Sequence, residues 1–191
     1  LYSMTKVITA VAALQLCEDG VVRLDEPITR WLPELADLQV CTGGSADAPE
    51  LVPLARPITV KMLLNHTGGF TYEFFPNAPV VELYQRADLW NATSLDDFIA
   101  RVGLLPLVRQ PGEAFDYGIG DDVLAVLVER ASGLKFEDFV ARRITGPLRM
   151  EDTFFDVPAD KLARVAALHS HAGQALQAVP AILGAYAEPG R

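Results

Sequence analysis

Ser3 and Lys6 stand three residues apart in the opening stretch LYSMTK. On a helix that spacing puts both side chains on one face, about one turn from each other. A serine hydroxyl is a weak nucleophile until a neighbouring base takes its proton. A lysine held in apolar surroundings loses solvation of its charged form, its pKa falls, and it can be that base. Near a helix N-terminus, Ser3 would also sit where backbone N–H groups point outward and the macrodipole favours negative charge. The pair therefore fits nucleophilic catalysis. Taken alone, it is better read as a helix-capping serine and a surface lysine at chance spacing, because patterns with two fixed positions arise often by accident.

What would position the pair is the run that follows, VITAVAALQLC. Val7, Ile8, Val11, Leu14 and Leu16 fall on several faces of a helix, as expected of one surrounded by protein. Gln15 and then CEDG supply a polar end, with Gly20 as the C-terminal cap. LQLC has the look of a lipoprotein cleavage box, but Leu16 before Cys17 is bulky where a small residue is needed. Lys6 alone is also a thin positive region for a secretion signal. The segment reads as a buried helix that starts near Ser3.

The chain has 191 residues, enough for one domain with a substantial core. Half of it is hydrophobic (50%) and 21% is charged, which marks a globular protein. Sixteen Lys and Arg against 25 Asp and Glu give −9, and no basic run offsets this, so nucleic acid and anionic membrane surfaces are poor partners. Cys17 and Cys41 make no disulfide framework and fit free thiols in a reducing, cytoplasmic compartment. No apolar stretch reaches the roughly 18 residues of a membrane span.

Further along, ITVKMLLNHTGGF predicts a short helix ending at Gly68-Gly69. His66 within it is read as a histidine that fixes a loop by hydrogen bonding, since Ser3 already has a lysine. His169 and His171, in LHSHAG, lack a third ligand at recognisable spacing and read as a solvated loop, not a metal site. VLAVLVERASG predicts a helix capped at Gly133, and KFEDFVARRITGPL a second helix stopped by Gly146-Pro147. Between QPGEAF and GIGDD, Tyr117 falls on an irregular segment, where functional groups are often displayed. The longest irregular stretch is CTGGSADAPELVPLARP, rich in Gly, Pro and small residues, which could border a substrate entrance. No linker, low-complexity tract or internal repeat interrupts the chain.

Together, SMTK, LDEPITRWLPEL, RPITVKMLLNHTGGF and PGEAFDYGIGDDVLAVLVERASGLKFEDFVARRITGPLRMEDTFF, in that order, resemble the serine β-lactamase/penicillin-binding-protein-like hydrolases. The resemblance is strongest to the class C β-lactamase-related (family VIII) carboxylesterases and extends through VPADKLARVAAL. It implies an α/β (α+β) class with the β-lactamase/transpeptidase-like fold: an antiparallel sheet flanked by helices, beside a mostly helical lobe. By the same resemblance Ser3 is the acyl-forming nucleophile, Lys6 its general base, and Tyr117 the tyrosine of the Tyr-x-Asn motif that helps move the proton.

Two departures from that family qualify the likeness. Ile119 replaces the Asn of Tyr-x-Asn, so the amide that would contact Lys6 or a β-lactam is absent; a hydrocarbon surface there would suit an ester substrate. The third motif, Lys-Thr-Gly or its His-x-Gly or Trp-x-Gly equivalent on a strand, does not follow Tyr117 before AYAEPGR. Residues 1–191 are accordingly expected to be a single partial domain, a mostly helical fragment lacking much of the sheet and half of the oxyanion hole, poorly stable and inactive alone.

The expectation from sequence is a serine hydrolase of carboxylic esters, working without metal or organic cofactor on a small-molecule ester. Its catalytic residues are Ser3, Lys6 and Tyr117, with Ile119 at the substrate. A β-lactamase or D-amino-acid peptidase, and a non-catalytic relative that binds a ligand or assembles, remain alternatives. Oligomeric state stays open.

Overall fold

A computed structural model describes residues 2–76, 78–167, 169–172 and 175–178. The chain divides into two compact units, Leu1–Ile144 and Thr145–Arg191. The sequence expectations that touch residues 179–191, the missing third motif among them, lie outside the described residues.

In the first unit a 3-10 turn, Tyr2–Met4, leads directly into helix α1, Thr5–Glu18. Gly20 ends it as expected, in the left-handed conformation (φ 72°), with its N–H on the Cys17 carbonyl and that of Val21 on Leu16. The burial of α1 departs from the expectation. Thr9, Ala12, Ala13 and Leu16 are buried, but Met4, Val7, Val11 and Leu14 form an open stripe, with Val7 67% exposed. These four recur at helical spacing, so one face meets the core and the opposite face is uncovered among the described residues.

Antiparallel strands β1 (Gln39–Ser45) and β2 (Ala48–Pro53) follow. They occupy the stretch expected to be irregular. The Gly and Pro content that argued for a loop is accommodated by a register shift between Cys41 and Gly43 and by a turn in which Ala48 N–H donates to Ser45 Oγ. Helix α2, Val60–Leu64, stops before the glycine pair because Asn65 Oδ1 accepts from both the N–H and the hydroxyl of Thr67, and His66 turns left-handed (φ 57°). Helices α3 (Val80–Ala87) and α4 (Leu95–Val102) come next, the latter capped by Ser94 Oγ on Asp97 N–H.

Helix α5, Gly120–Ser132, runs through the core of this unit and packs against α1, α2, α4 and α6 (Phe136–Val140). Its residues Val123 to Val128 are all buried, and Gly133 caps it in the left-handed conformation, as the sequence predicts. The polypeptide continues through a wider helical turn, Ala141–Thr145, to Gly146-Pro147.

In the second unit, His169–Ala172 (β3) pairs with Ala175–Ala178 (β4), so the two histidines expected on a loop lie on a strand. Among the described residues, strands form only these two antiparallel hairpins.

Candidate active site

Ser3, on the 3-10 turn, is exposed, and Lys6, in the first turn of α1, keeps only 17% of its side chain accessible. Tyr117 reaches them from the irregular segment before α5. That segment is fixed at three points: Asp116 N–H donates to the His66 carbonyl at 2.8 Å, Ile119 N–H to the Thr71 carbonyl at 3.4 Å, and Gly118 lies flat on residues 70–71. A Cβ at Gly118 would come within 2.6 Å of the Phe70 carbonyl oxygen and of Thr71 Cα, so only glycine permits this approach.

The outcome is that Tyr117 Oη donates to Ser3 Oγ at 2.6 Å. The same close packing sets the Tyr117 and Tyr72 rings 5.7 Å apart. Lys6 Nζ lies over both, 5.3 Å from the Tyr117 centroid and 5.5 Å from that of Tyr72.

Lys6 Nζ donates its hydrogen bond to Tyr72 Oη at 2.8 Å. Tyr72 Oη in turn reaches Asp122 Oδ2 at 3.5 Å, while Lys6 Nζ is 3.7 Å from Asp121 Oδ2 and 4.0 Å from Asp122 Oδ2. This neighbourhood reverses the electrostatics expected from sequence. Burial pushes the Lys6 pKa down, but the Tyr72 hydrogen bond and the charges of Asp122, Tyr72 and Asp121 outweigh it, and the pKa ends above the ordinary lysine value. Lys6 therefore rests as an ammonium. The Tyr72 phenol is pushed up to about 12, by burial first and by Asp122 second, against the pull of Lys6. Burial also raises both aspartates, with Lys6 opposing it in each case.

His66 was expected to fix a loop by hydrogen bonding, but its side chain makes no hydrogen bond among the described residues and is held by packing. Its Nε2 is 3.3 Å from Asp121 Oδ2 and its ring lies 4.7 Å from that of Tyr117. Burial and then Lys6 lower its pKa, so the ring is neutral near pH 7. Nδ1 is buried with no hydrogen-bond partner among the described residues, which fits a proton on Nε2. The Ile119 side chain is 0% exposed, within the core of this unit.

Tyr72, Asp121 and Asp122 escaped the sequence reading. Tyr72 is 66 residues from Lys6, and FTYEFF reads as aromatic packing. The aspartates read as the acidic first turn that a helix N-terminus favours. No group of three or more His, Cys, Asp or Glu suited to a metal ion occurs among the described residues.

All residues 1–191 match the family model described as Beta-lactamase. The chain is 39% identical over 156 residues to the lovastatin esterase of Penicillium rubens, covering 81% of this chain and 39% of that protein. It is 36% identical over 168 residues to the monacolin J acid methylbutanoyltransferase of Aspergillus terreus, covering 86% of this chain and 40% of that one. Among solved structures, the simvastatin synthase of Aspergillus terreus superposes with a TM-score of 0.81 at 32% identity, over 97% of this chain and 46% of the other. The chain thus spans less than half the length of these relatives.

Proposed function

Because the chain belongs to the β-lactamase family and has its β-lactamase/transpeptidase-like fold, we propose that it carries the nucleophile of a serine hydrolase that cleaves carboxylic esters through an acyl-enzyme on Ser3. The contact that carries this reading is the 2.6 Å hydrogen bond between Tyr117 Oη and Ser3 Oγ, one helical turn from Lys6.

Ser3 Oγ attacks the ester carbonyl carbon as Lys6, in its amine form, accepts the proton, with the Tyr117 hydroxyl assisting the transfer. The Ser3 backbone N–H is one donor to the tetrahedral oxyanion. When the intermediate collapses, the C–O bond to the alcohol breaks and the same groups return the proton to the leaving alkoxide. Water then repeats the sequence on the acyl-enzyme and frees the acid. Lys6 must be present as the amine for the attack, so the resting ammonium must first lose a proton. Tyr72 and the two aspartates oppose that loss, so activity is expected to grow as pH rises.

The test is hydrolysis of p-nitrophenyl butyrate by the full-length protein, with covalent labelling by a fluorophosphonate. Turnover and labelling that both disappear in Ser3→Ala support the assignment; a full-length protein that does neither is a non-catalytic relative. Turnover of nitrocefin rivalling that of the ester would move the reading to the lactam-cleaving branch. A transfer reading has one specific observation behind it, the 36% identity to a methylbutanoyltransferase. It predicts that an added alcohol intercepts the acyl-enzyme and gives a new ester instead of the free acid.

A further inference from the structure

Beside the Ser3–Tyr117 pair lies a set of rings that the proton chemistry does not use. Phe74 stacks on Tyr72 with centroids 4.9 Å apart and planes 12° from parallel. Trp90 lies 6.1 Å from Tyr72 at 24°, and Phe75 bridges Phe74 (4.9 Å) to Tyr117 (6.4 Å). Tyr72 is buried, yet Phe74 is 67% and Trp90 56% exposed.

Rings that are held in place yet left open to water are costly for a structural role alone, because their apolar faces stay solvated. These rings are held. Trp90 Nε1 donates to Glu73 Oε1 at 2.5 Å, and Gln85 Nε2 donates to the Glu73 carbonyl at 2.9 Å, which ties the 72–75 segment to α3 and the turn after it. Through Tyr72 and Phe75, the open rings stand two ring-to-ring steps from Tyr117, whose hydroxyl touches Ser3 Oγ.

From this we infer that Phe74 and Trp90 form a stacking shelf for a flat, uncharged ring carried by the ester substrate, in its acyl or its alcohol part. The inference rests on the ester-hydrolase reading and adds the substrate class. A planar ring gains from offset or parallel stacking on such a surface, whereas a short aliphatic chain has no face to offer.

Binding to the full-length Ser3→Ala protein, which cannot turn over, separates this from the catalytic proposal. The probes are methyl 4-phenylbutyrate, 2-phenylethyl acetate and, without a ring, methyl butyrate. At least one ring-bearing ester should bind more tightly than methyl butyrate. Phe74→Leu and Trp90→Leu, which keep apolar bulk and lose the ring, should each weaken that binding about threefold to tenfold, with methyl butyrate unchanged and Phe74→Tyr restoring it. Equal binding of all three esters, or ring-ester binding indifferent to both leucine variants, overturns the shelf even if the wild type hydrolyses esters. Ring-dependent binding that responds to these variants sustains it even if Ser3 proves not to be the nucleophile.

Discussion

The Lys6 ammonium is tied to the Tyr72 hydroxyl at 2.8 Å, while the serine one turn before it takes its hydrogen bond from Tyr117. Serine and cation are thus held by different tyrosines, whose ring centroids lie 5.7 Å apart with planes tilted by 53°. In the proposed mechanism Tyr72 sets how readily Lys6 becomes an amine, and Tyr117 assists transfer of the serine proton.

The first consequence is a pH profile. Since the Lys6 pKa lies above the ordinary 10.5 and the proposed mechanism needs the amine, kcat/KM for p-nitrophenyl butyrate should climb with pH through the alkaline range, once background hydrolysis is subtracted. Tyr72→Phe deletes the hydrogen bond that favours the ammonium and leaves burial, which opposes it. The rising limb should then move to lower pH. A limb that falls with pH in the wild type would show that Lys6 works as a cation and not as a base.

Lys6→Ala separates the same alternatives by magnitude. It removes the proton acceptor and leaves Asp121 and Asp122 without their cation, so ester turnover should be lost while the fold is kept. Near-wild-type turnover would remove Lys6 from the mechanism. Circular dichroism before and after heating checks that the variant is folded.

Tyr117→Phe keeps the ring against His66, at 4.7 Å, and takes away only the oxygen on Ser3. The expected result is a fall in kcat of about 10²–10⁴, the usual contribution of a positioned proton-transfer group, with the melting temperature nearly unchanged. His66→Asn is the complementary control, since asparagine tolerates the left-handed backbone at that position. It should cost less than about tenfold, because a neutral histidine packed beside Tyr117 and Asp121 takes no proton from Ser3. A loss as deep as that of Ser3→Ala would revive a serine–histidine pairing.

The meeting of Ser3, Lys6 and Tyr117 was legible because each carries a local signal: a three-residue spacing, an apolar run behind it, and a tyrosine between two turn-forming segments. α5 and its Gly133 cap were legible for the same reason. What the sequence hides is pairing across distance. Tyr72 becomes a partner of Lys6 only when Gly118 lets two backbones touch, and neither FTYEFF nor DYGIG announces that contact. The pKa of Lys6 was misjudged for the same reason, since apolar neighbours along α1 could be counted but not the aspartates that α5 delivers. Ile119, placed by the resemblance at the substrate, is buried in the core, a burial that its position in DYGIGDD does not announce. Residues 41–57 misled in the other direction, because glycine and proline forbid a central strand more strictly than they forbid a two-stranded hairpin.

Gly118 therefore offers the most direct test of how fold and site are joined. Its ideal Cβ would meet the Phe70 carbonyl carbon at 2.7 Å as well as the carbonyl oxygen and Thr71 Cα at 2.6 Å, and all three are backbone atoms that no rotamer change can move. Gly118→Ala must separate the 117–119 segment from residues 70–72, at a cost of about 1–3 kcal/mol, the usual range for forcing an extra methyl into a packed site. Because Tyr117 and Tyr72 sit on the two segments being separated, the variant should lose ester turnover by much more than its drop in melting temperature explains. Replacing Gly133 by Ala supplies the comparison. That glycine is also left-handed (φ 69°), but nothing lies within 4 Å of its Cβ position and it is remote in sequence from the site. Gly133→Ala should lower stability and leave kcat of the folded fraction unchanged. If Gly118→Ala behaves like Gly133→Ala, with stability reduced and kcat intact, then the close approach at Gly118 serves packing alone and the ring geometry at Ser3 does not depend on it.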